Sequence, residues 1–495
     1  MKGQRAENEI GMSESLRPRL RPRLHPHIKC FLDNKPLLFD LVKKWGSPLN
    51  LIFPQNMPHN LVTFQNAYKK HNLRGTIYYT SKPCKSQALY REASGHDIGI
   101  DVSSVNSLKA AVDSGWKTSR IGATGPKSLE YIENCLRHNV LINVDNLDEL
   151  HQIAKIHSEM GLTYRIKITL RIADYQSSRV QFIGEEDNTF GIATDDIENI
   201  LTFLEQNKEK INFLGFSWHA STAGDEQRIA AMENLLRLTF LSIKHGLKPV
   251  QINIGGGFPI MYADSCEEWN RYVEAFKSSV MGHINSQAWN NNGLGFRLEG
   301  GVLRGSPSFL NHAPVCTKGE ELERWLSFRL PSFGNARFSD VVRDSLLKLC
   351  IEPGRGLLDQ CGVTLGRVAF TKISPKGNRL IGLEMNRSNI HSDHFKRLTE
   401  PIVISQNGEK ANLENEGVFY MGNLCLSYDM LQYNRTYPDY LPEAGDIVAF
   451  ANTAAYMMDF TESETLMQPI AKKIAVVRSG RAWKCIEDSE YRRAA

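Results

Sequence analysis

The chain alternates short apolar runs with longer amphipathic stretches from about residue 58 to residue 258. The runs are rich in β-branched and aromatic residues, which favour strands, and the stretches between them repeat apolar side chains at helical spacing. We predict strands at 76–81, 97–102, 120–123, 140–144, 165–172, 213–218 and 250–254. Because strands and helices alternate, this part of the chain is either a TIM barrel or a doubly wound parallel sheet.

An eighth strand at 347–352 would close a barrel. It follows an excursion over about 260–346, which is too long for a simple loop and which we interpret as an insertion with its own helices. From about residue 357, strand-like segments separated by turns predict a β-domain that continues to residue 495. A strand-like segment within residues 36–57 would join that domain from the N-terminal side.

The N-terminal end has a different pattern. Between Arg17 and Arg23, arginine alternates with proline or leucine. Proline at this spacing is compatible neither with a helix interior nor with a central strand. We therefore predict that residues 1–35 form a flexible basic arm.

Composition and charge exclude several classes of protein. The 495 residues carry a formal net charge of only +4, which indicates neither a nucleic acid nor a membrane partner. No apolar run reaches the length of a membrane span, and the first residues lack the apolar core of a signal peptide. The nine cysteines are widely scattered without paired-ligand spacing, which argues for reduced thiols and against a metal site. We therefore expect a cytoplasmic protein without a bound metal.

The first predicted strand ends in a lysine of interest. The run 75–79 is apolar and aromatic, and it gives way to Lys82 and Pro83. A lysine at the tip of a buried strand can be partly desolvated, and a desolvated amine is available to form a Schiff base. Lys85 is a second candidate, and for an isolated lysine a solvated position is the more common outcome.

Other chemistry-bearing residues also follow predicted strands, where TIM barrels place their active sites. Gly255, Gly256 and Gly257 would let backbone N–H groups approach a phosphate closely. Glu352 and Arg355 add a carboxylate and a phosphate-binding cation on one turn.

Two further segments complete the set. His219 follows the sixth predicted strand and could stack on a planar ring, while Cys425 and Asp429 place a thiol and a carboxylate on one loop of the β-domain. Together with Lys82, these residue types describe a site for pyridoxal 5′-phosphate.

In chain order the segments resemble the alanine-racemase-type fold of pyridoxal-phosphate enzymes, and within it the ornithine, diaminopimelate and arginine decarboxylase group. The matching motifs run from Tyr79 to Lys82, Ile100 to Ser104, His219, Gly255 to Gly257, Glu352 to Arg355, Cys425 to Asp429, and Ala454 to Tyr456. The resemblance implies an α/β fold in which a (β/α)8 barrel over 58–356, carrying the insertion, is followed by a β-domain over 357–495. That β-domain would include an N-terminal strand from residues 36–57.

The resemblance also implies a role for each matching residue. Lys82, which keeps the family spacing after Tyr79, would form the Schiff base. Glu352 would keep the pyridine nitrogen protonated, so that the ring accepts electrons as carbon dioxide leaves. The other cofactor-binding residues would be Asp101, His219 on the ring, and Thr222, Gly255, Gly256, Gly257, Arg355 and Tyr456 around the phosphate.

The implied assembly is a homodimer with shared active sites. Cys425 resembles the thiol that the family supplies from the partner subunit to protonate the product, with Asp429 on the same loop as a substrate contact. Lys82, His219 and Cys425 would be the catalytic residues. Leu426 stands where the family has an acidic residue for the distal amino group, so the usual hold on a lysine-, ornithine- or diaminopimelate-like substrate is not expected.

The excursion offers one hypothesis about the substrate. Its arginines could recognise a distal carboxylate or a larger carrier, and a solvated basic insertion is the more common alternative. The arginines are Arg297, Arg304, Arg324, Arg329 and Arg337.

The predicted function is a pyridoxal-phosphate-dependent carboxy-lyase that releases carbon dioxide from an amino acid or its derivative, in amino acid or specialised metabolism. The racemase branch of this fold puts an arginine at the ring nitrogen, whereas Glu352 favours decarboxylation. The alternatives are a racemase or epimerase on the same barrel and a catalytically silent homologue that binds the cofactor. Silent members usually lose the Schiff-base lysine or the loop cysteine, and this chain has both Lys82 and Cys425.

Overall fold

A computed structural model of the chain describes residues 18–174, 189–220, 223–390, 397–408, 411–412 and 416–493. The chain divides into two compact units, each assembled from segments that are far apart in sequence. We call them the barrel unit, which comprises Met57–Pro259, Cys316–Leu357 and Tyr491–Ala495, and the sheet unit, which comprises Met1–Asn56, Ile260–Val315 and Leu358–Glu490.

The barrel unit contains a closed barrel of parallel strands. In chain order the eight barrel strands are Gly75–Thr80, Gly99–Val102, Ile121–Ala123, Leu141–Val144, Ile166–Arg171, Ile211–Ser217, Gln251–Asn253 and Lys348–Ile351. The eighth strand closes the ring, because Cys350 pairs with Thr76 of the first strand on one side and with Asn253 of the seventh on the other. The predicted TIM barrel and its eighth strand are confirmed.

Helices connect the barrel strands, and several begin at a residue whose side chain caps the helix. Asn146 accepts a hydrogen bond from the Glu149 N–H at 2.8 Å, and Ser104 accepts one from the Ser107 N–H at 3.1 Å. The α-helices of this unit are Met57–Lys70, Gln87–Ser94, Val105–Asp113, Leu129–Arg137, Leu147–Glu159, Ile197–Gln206, Asp225–Lys244, Lys318–Leu326, Phe338–Asp344 and Gly354–Leu357.

The sheet unit is built on an eight-stranded sheet. Its strands are Leu49–Ile52, Gly362–Ile373, Arg379–Leu383, Ile402–Ile404, Val418–Met421, Ile447–Ala451, Lys472–Ser479 and Ala482–Glu487. Leu49–Ile52 lies between Gly362–Ile373 and Lys472–Ser479, which confirms the predicted N-terminal strand in the β-domain. The strand Ala482–Glu487 was not predicted, because it is an edge strand whose side chains are all exposed or half-buried and its apolar pattern is weak.

The prediction of a flexible arm is wrong for residues 18–35, which belong to the sheet unit. The helix Pro26–Leu32 buries Ile28 and Phe31 in the core of that unit, and a second helix, Lys35–Trp45, leads into the first strand. Pro26 lies in the first turn of its helix, where the missing N–H has no intrahelical partner to lose. The proline therefore starts a helix. Residues 1–17 lie outside the described part of the chain.

The excursion over 260–346 is not a single insertion in the barrel. Its first part joins the sheet unit as the helix Cys266–Val280 and a hairpin of Phe296–Glu299 with Val302–Gly305. Its second part joins the barrel unit as Lys318–Leu326 and Phe338–Asp344. The first part has its own aromatic core, which explains why it packs independently of the barrel; the cluster includes Trp269, Tyr272, Phe276 and Phe309.

The excursion's arginines divide between the two units. Arg297 and Arg304 lie on the hairpin of the sheet unit, whereas the others lie in the barrel unit. Arg324 already pairs with Glu321 at 2.6 Å and with Asp225 at 2.5 Å. None of the helices in the described ranges is both long and apolar enough to cross a membrane.

Candidate active site

The predicted site residues of the barrel unit lie at the carboxyl ends of its strands, and therefore at one end of the barrel. Lys82 follows the first strand, Asp101 lies in the second, His219 follows the sixth, the glycine triplet follows the seventh and Glu352 follows the eighth. The Ser81 N–H donates to the backbone oxygen of Asp101 at 2.9 Å, which ties the lysine loop to the second strand.

Asn253, the last residue of the seventh strand, connects the glycine turn to Glu352. Its amide nitrogen donates to Glu352 Oε1 at 2.7 Å, and its Oδ1 accepts from the Gly255 N–H at 2.8 Å. The Glu352 N–H in turn donates to the Gly255 backbone oxygen at 2.8 Å. Sequence reasoning missed Asn253, although a polar residue in a buried strand directly before three glycines signals such a role.

The glycine turn requires glycine for reasons of space. Gly255 has a φ of +68°, and a Cβ there would come within 2.6 Å of the Trp218 carbonyl oxygen. A Cβ on Gly256 would come within 2.4 Å of the Glu352 carbonyl oxygen. The N–H groups of Gly255 and Gly256 donate to Asn253 and His219 side chains, so they hold the site together, and the contact of the glycine triplet with a phosphate stays a prediction.

His219 carries a neutral ring at physiological pH. Burial, together with the charges of Arg171 and Lys82, lowers its pKa to about 3. Its Nδ1 accepts from the Gly256 N–H at 3.0 Å, so the proton of the neutral imidazole lies on Nε2. A neutral imidazole in a fixed orientation suits the predicted stacking on the cofactor ring.

Two acids, Asp101 and Glu352, act on each other at the same end of the barrel. Burial raises the pKa of Asp101 well above its usual range, and the charge of Glu352 raises it further. Burial also raises the pKa of Glu352, whereas Asn253, Arg171 and Lys82 lower it. Two buried carboxyl groups that interact do not readily ionise together. This pair therefore favours either a nearby cation or a proton retained on one of the two acids. Arg171, at the end of the fifth strand, was not among the predicted residues.

Lys82 and Lys85 are both exposed in the isolated chain, so the partial desolvation expected of Lys82 is not present. The charge of Lys82 acts on Asp101, Glu352 and His219 alike. All three groups therefore experience the charge of Lys82, which favours Lys82 as the functional lysine.

The other predicted phosphate ligands are less closely tied to this cluster. Arg355 lies in the short helix Gly354–Leu357, directly after the Glu352 turn. Tyr456 belongs to the sheet unit, where it has a φ of +62° and its ring meets Phe460 edge-on at 5.4 Å between centroids. Thr222 lies outside the described residues. Their contacts with phosphate stay predictions.

The loop that carries Cys425 uses its carboxylate to hold its own backbone. Asp429 is only 1% exposed. Its Oδ1 accepts from the Arg387 N–H at 2.9 Å and its Oδ2 from the Leu424 N–H at 2.9 Å. Asp429 therefore fixes the backbone of the loop, and its predicted contact with substrate stays a prediction. Cys425, by contrast, is exposed.

A cavity of about 240 Å³ opens beside Cys425 within the sheet unit. Its lining residues are Arg387, Ser388, Leu424, Leu426, Tyr428, Thr461 and Thr465. Arg387 is the charged residue of this lining, and its guanidinium lies 5.7 Å from the centroid of the Tyr428 ring. The cavity thus offers a cation, hydroxyl groups and apolar surface, and its lining contains no carboxylate.

Comparison with known proteins shows what this chain is similar to. Residues 59–297 match the family model described as "Pyridoxal-dependent decarboxylase, pyridoxal binding domain". The matched region contains Lys82, Asp101, His219 and the glycine triplet. The chain is similar to pyridoxal-dependent decarboxylases over this region and to diaminopimelate decarboxylases over most of its length.

The sequence identities between this chain and its relatives are low. An uncharacterized protein of Sinorhizobium fredii, y4yA, is 28% identical over 447 residues, which cover 89% of this chain and 90% of that protein. Diaminopimelate decarboxylase of Bacillus subtilis is 26% identical over 434 residues, covering 84% and 83% of the two chains. The structure of diaminopimelate decarboxylase from M. jannaschii superimposes with a TM-score of 0.66 at 18% identity, covering 91% of each chain, and supports the fold.

The cofactor of this protein is pyridoxal 5′-phosphate, and the residues at the end of the barrel fit it. It offers an accessible amine on Lys82, a neutral imidazole on His219, and two mutually repelling acids that a protonated pyridine nitrogen would relieve. The buried hydroxyls of Thr80 and Ser81, beside the lysine loop, have no hydrogen-bond partner among the described residues and are available to a ligand.

Proposed function

We propose that this protein is a pyridoxal-phosphate-dependent decarboxylase that removes the α-carboxylate of an amino acid or an amino acid derivative. The observation that carries the proposal is the carboxyl group of Glu352, oriented by Asn253 at the end of the eighth strand and raised in pKa by burial. Bound pyridoxal phosphate supplies an electron sink for the carbanion that forms when carbon dioxide leaves.

The chain's own residues prepare the barrel end for that chemistry. Lys82 Nζ is the amine that would hold the cofactor covalently. Glu352 would hold a proton at the ring nitrogen. The like charges of Asp101 and Glu352 favour a bound proton on this pair of acids. His219, kept neutral by burial, would cover one face of the ring without adding a charge.

Cys425 is the proposed proton donor to the product, and its position on an exposed loop is consistent with use by a second subunit. The proposed assembly is therefore a homodimer in which the loop of one chain completes the site of the other. Asp429 would support this role indirectly, because it fixes the backbone on both sides of the thiol.

The loop cavity supports a preference among amino acids. Relatives named for diaminopimelate act on a substrate whose distal carbon carries an amino group and a carboxylate, and one such structure contains L-lysine, which has the distal amino group alone. Here Leu426 and Arg387 line the cavity, and no carboxylate does. We propose that the substrate lacks a distal ammonium group, which an arginine would repel and a leucine could not bind.

The test is carbon dioxide release by the cofactor-loaded protein with a panel of acidic, neutral and basic L-amino acids. We expect release with an acidic or neutral member and inversion of configuration with none. Chiral inversion without carbon dioxide release would replace this proposal by the racemase alternative. Efficient turnover of lysine or diaminopimelate would contradict the substrate preference while leaving the reaction type intact.

A further inference from the structure

The interior of the barrel contains polar side chains that the site described above does not use. Branched apolar side chains usually fill this space in a TIM barrel. Here the fourth, fifth and sixth strands contribute Asn143, Thr169 and Ser217. The Thr169 hydroxyl donates to Asn143 Oδ1 at 3.0 Å, and the Ser217 hydroxyl donates to the same oxygen at 2.8 Å. Because Ser217 lies two strands away from Asn143, the Asn143 side chain points into the barrel.

These side chains continue a row of polar groups that begins at Glu352. Asn253 donates to Glu352 Oε1 at 2.7 Å, and it pairs in register with Ser217 of the neighbouring strand. Ser217 in turn donates to Asn143. We call Glu352, Asn253, Ser217, Thr169 and Asn143 the polar layer. A ligand that lies on the polar layer would meet the carboxyl group of Glu352 at one end and the amide of Asn143 at the other.

Two hydroxyl donors determine the orientation of the Asn143 amide. An amide oxygen accepts and an amide nitrogen donates, so the atom that receives the Thr169 and Ser217 protons is Oδ1. Nδ2 therefore lies on the other side, where its contact within the described ranges is a long 3.4 Å to Thr124 Oγ1. Nδ2 carries two hydrogens, so at least one is available to a ligand. Asn143 is half-buried, which leaves the amide accessible from the open end of the barrel.

A buried ion pair fixes the backbone that carries this amide. Lys127 has a fully buried side chain, and its Nζ donates to Glu149 Oε1 at 2.9 Å. The same Nζ donates to the backbone oxygens of Asn143 at 2.6 Å and Gly125 at 2.8 Å. Three acceptors match the three protons of the ammonium group, as a buried ion pair requires. The amide of Asn143 is therefore held in place before a ligand binds, which lowers the entropy cost of binding.

Every polar group of pyridoxal phosphate except one already has a predicted partner in this chain. Lys82 is the predicted partner of the aldehyde carbon, Glu352 of the ring nitrogen, and Arg355 of the phosphate. The phenolic oxygen of the ring has no predicted partner. This oxygen accepts hydrogen bonds and is negatively charged when ionised, so a fixed N–H donor stabilises it. The amide of Asn143 supplies such a donor at the same end of the barrel.

We propose that Asn143 donates a hydrogen bond to the phenolic oxygen of bound pyridoxal phosphate and thereby positions the cofactor ring on the polar layer. The inference rests on the proposed function for the identity of the ligand. Thr169 and Ser217 are positioning residues in this account, because they hold the amide in its donating orientation. A donor at this oxygen favours the ionised form. Asn143 therefore also influences the pH at which the lysine-bound cofactor changes its absorbance.

The experiment compares three apoproteins: wild type, Asn143→Asp and Thr169→Val, with Asn199→Asp as the matched control. Asn143→Asp keeps an acceptor for both hydroxyls and replaces the N–H donor by an oxygen. Asn199 is exposed on the helix Ile197–Gln206 of the same unit, so its substitution makes the same chemical change away from the site. Each protein is titrated with pyridoxal 5′-phosphate and, separately, with 3-deoxypyridoxal 5′-phosphate, which lacks the phenolic oxygen.

The deciding quantity is the ratio of the two affinities. Asn143→Asp should weaken binding of pyridoxal phosphate, relative to the 3-deoxy compound, by roughly 10-fold to 100-fold, the range for a lost hydrogen bond to a charged group. Thr169→Val should change the ratio in the same direction by less, and Asn199→Asp should match wild type. The absorbance transition of the lysine-bound cofactor should also move to higher pH in Asn143→Asp, by about one unit or more. An unchanged ratio would overturn the proposal.

A purely structural role for Asn143 makes a different prediction. If the amide only held Thr169 and Ser217, Asn143→Asp would change the melting temperature of the apoprotein and weaken the binding of both compounds equally. Thr169→Val carries the test if Asn143→Asp does not fold. The ratio is measured without turnover, so failure of this inference and failure of the proposed function are distinguishable. A wild-type protein that binds neither compound would overturn both.

Discussion

The barrel end and the loop around Cys425 both carry carboxyl groups that the sequence marks as functional, but the two regions hold them in opposite ways. Asp101 and Glu352 repel each other at the barrel end, and burial raises the pKa of both. Asp429 instead accepts a backbone N–H on each oxygen and fixes its own loop. A carboxylate is available to a ligand only where the backbone has not already satisfied it, and this distinguishes the two regions.

The largest expected effect on activity comes from loss of the amine at the barrel end. Lys82→Ala should abolish the visible absorbance of the lysine-bound cofactor and reduce turnover below detection, because Lys82 is the amine proposed to bind the cofactor covalently. Absorbance spectra of the purified proteins measure this. Lys85→Ala is the control and should keep both properties; loss of the absorbance in Lys85→Ala instead would reassign the functional lysine.

The next largest effect concerns the exposed thiol of the loop. Cys425→Ala should reduce turnover by roughly 10²-fold or more, the range typical of a lost general acid, while the cofactor absorbance stays intact. Steady-state kinetics and spectra of the same preparation test this together. Loss of cofactor binding in Cys425→Ala would show that the loop contributes to the cofactor site and not to proton transfer.

Removing the carboxylate of Asp429 tests its role in holding the loop. Asp429→Ala should lower the free energy of unfolding by about 2–3 kcal/mol, because the N–H groups of Arg387 and Leu424 lose a charged acceptor. Chemical denaturation measures the change, and the exposed neighbour Ser427→Ala is the control with an expected change near zero. A fully stable Asp429→Ala protein with reduced substrate affinity would instead support the predicted substrate contact.

The smallest effect is a gain in stability at the barrel end. The pKa of Asp101 is raised in the folded state, so the unfolded state loses its proton first and stability falls as pH rises above about 4. Asp101→Asn removes that loss and should stabilise the apoprotein by on the order of 1 kcal/mol at pH 8, with no gain near pH 4. Thermal unfolding at the two pH values tests this, with the exposed Asp113→Asn as control; a gain of equal size at both pH values would contradict the like-charge explanation.

Much of the barrel could be predicted because its signals are local. Each strand is a short apolar run bounded by a turn, and the residues that follow each run, such as Lys82 and Glu352, come to one end of any parallel barrel. The missed residues at this end have weaker local signals. Asn253 lies inside an apolar strand, and Arg228, whose charge acts on His219, lies in the first turn of a helix, where an arginine is usually solvated.

The errors have a common physical cause. The N-terminal arm and the excursion over 260–346 were judged by their own composition, but their apolar side chains are buried by segments hundreds of residues away in the sequence. The hydrogen bonds of Asp429 could not be predicted for the same reason, because they also depend on Arg387, which is 42 positions earlier.

By itself, the order of apolar runs and strand-end residues indicated alternating strands and helices and the cofactor class, and the resemblance to a known family chose the barrel and Lys82, because these features depend on spacing along the chain. Only the tertiary structure decided that Asp429 holds a loop, that Gly255 and Gly256 donate to their own neighbours, and that Asn143 accepts hydroxyl protons from two other strands. Whether a polar group is hydrogen-bonded or buried depends on which groups from distant parts of the chain contact it. A local sequence pattern does not encode those contacts.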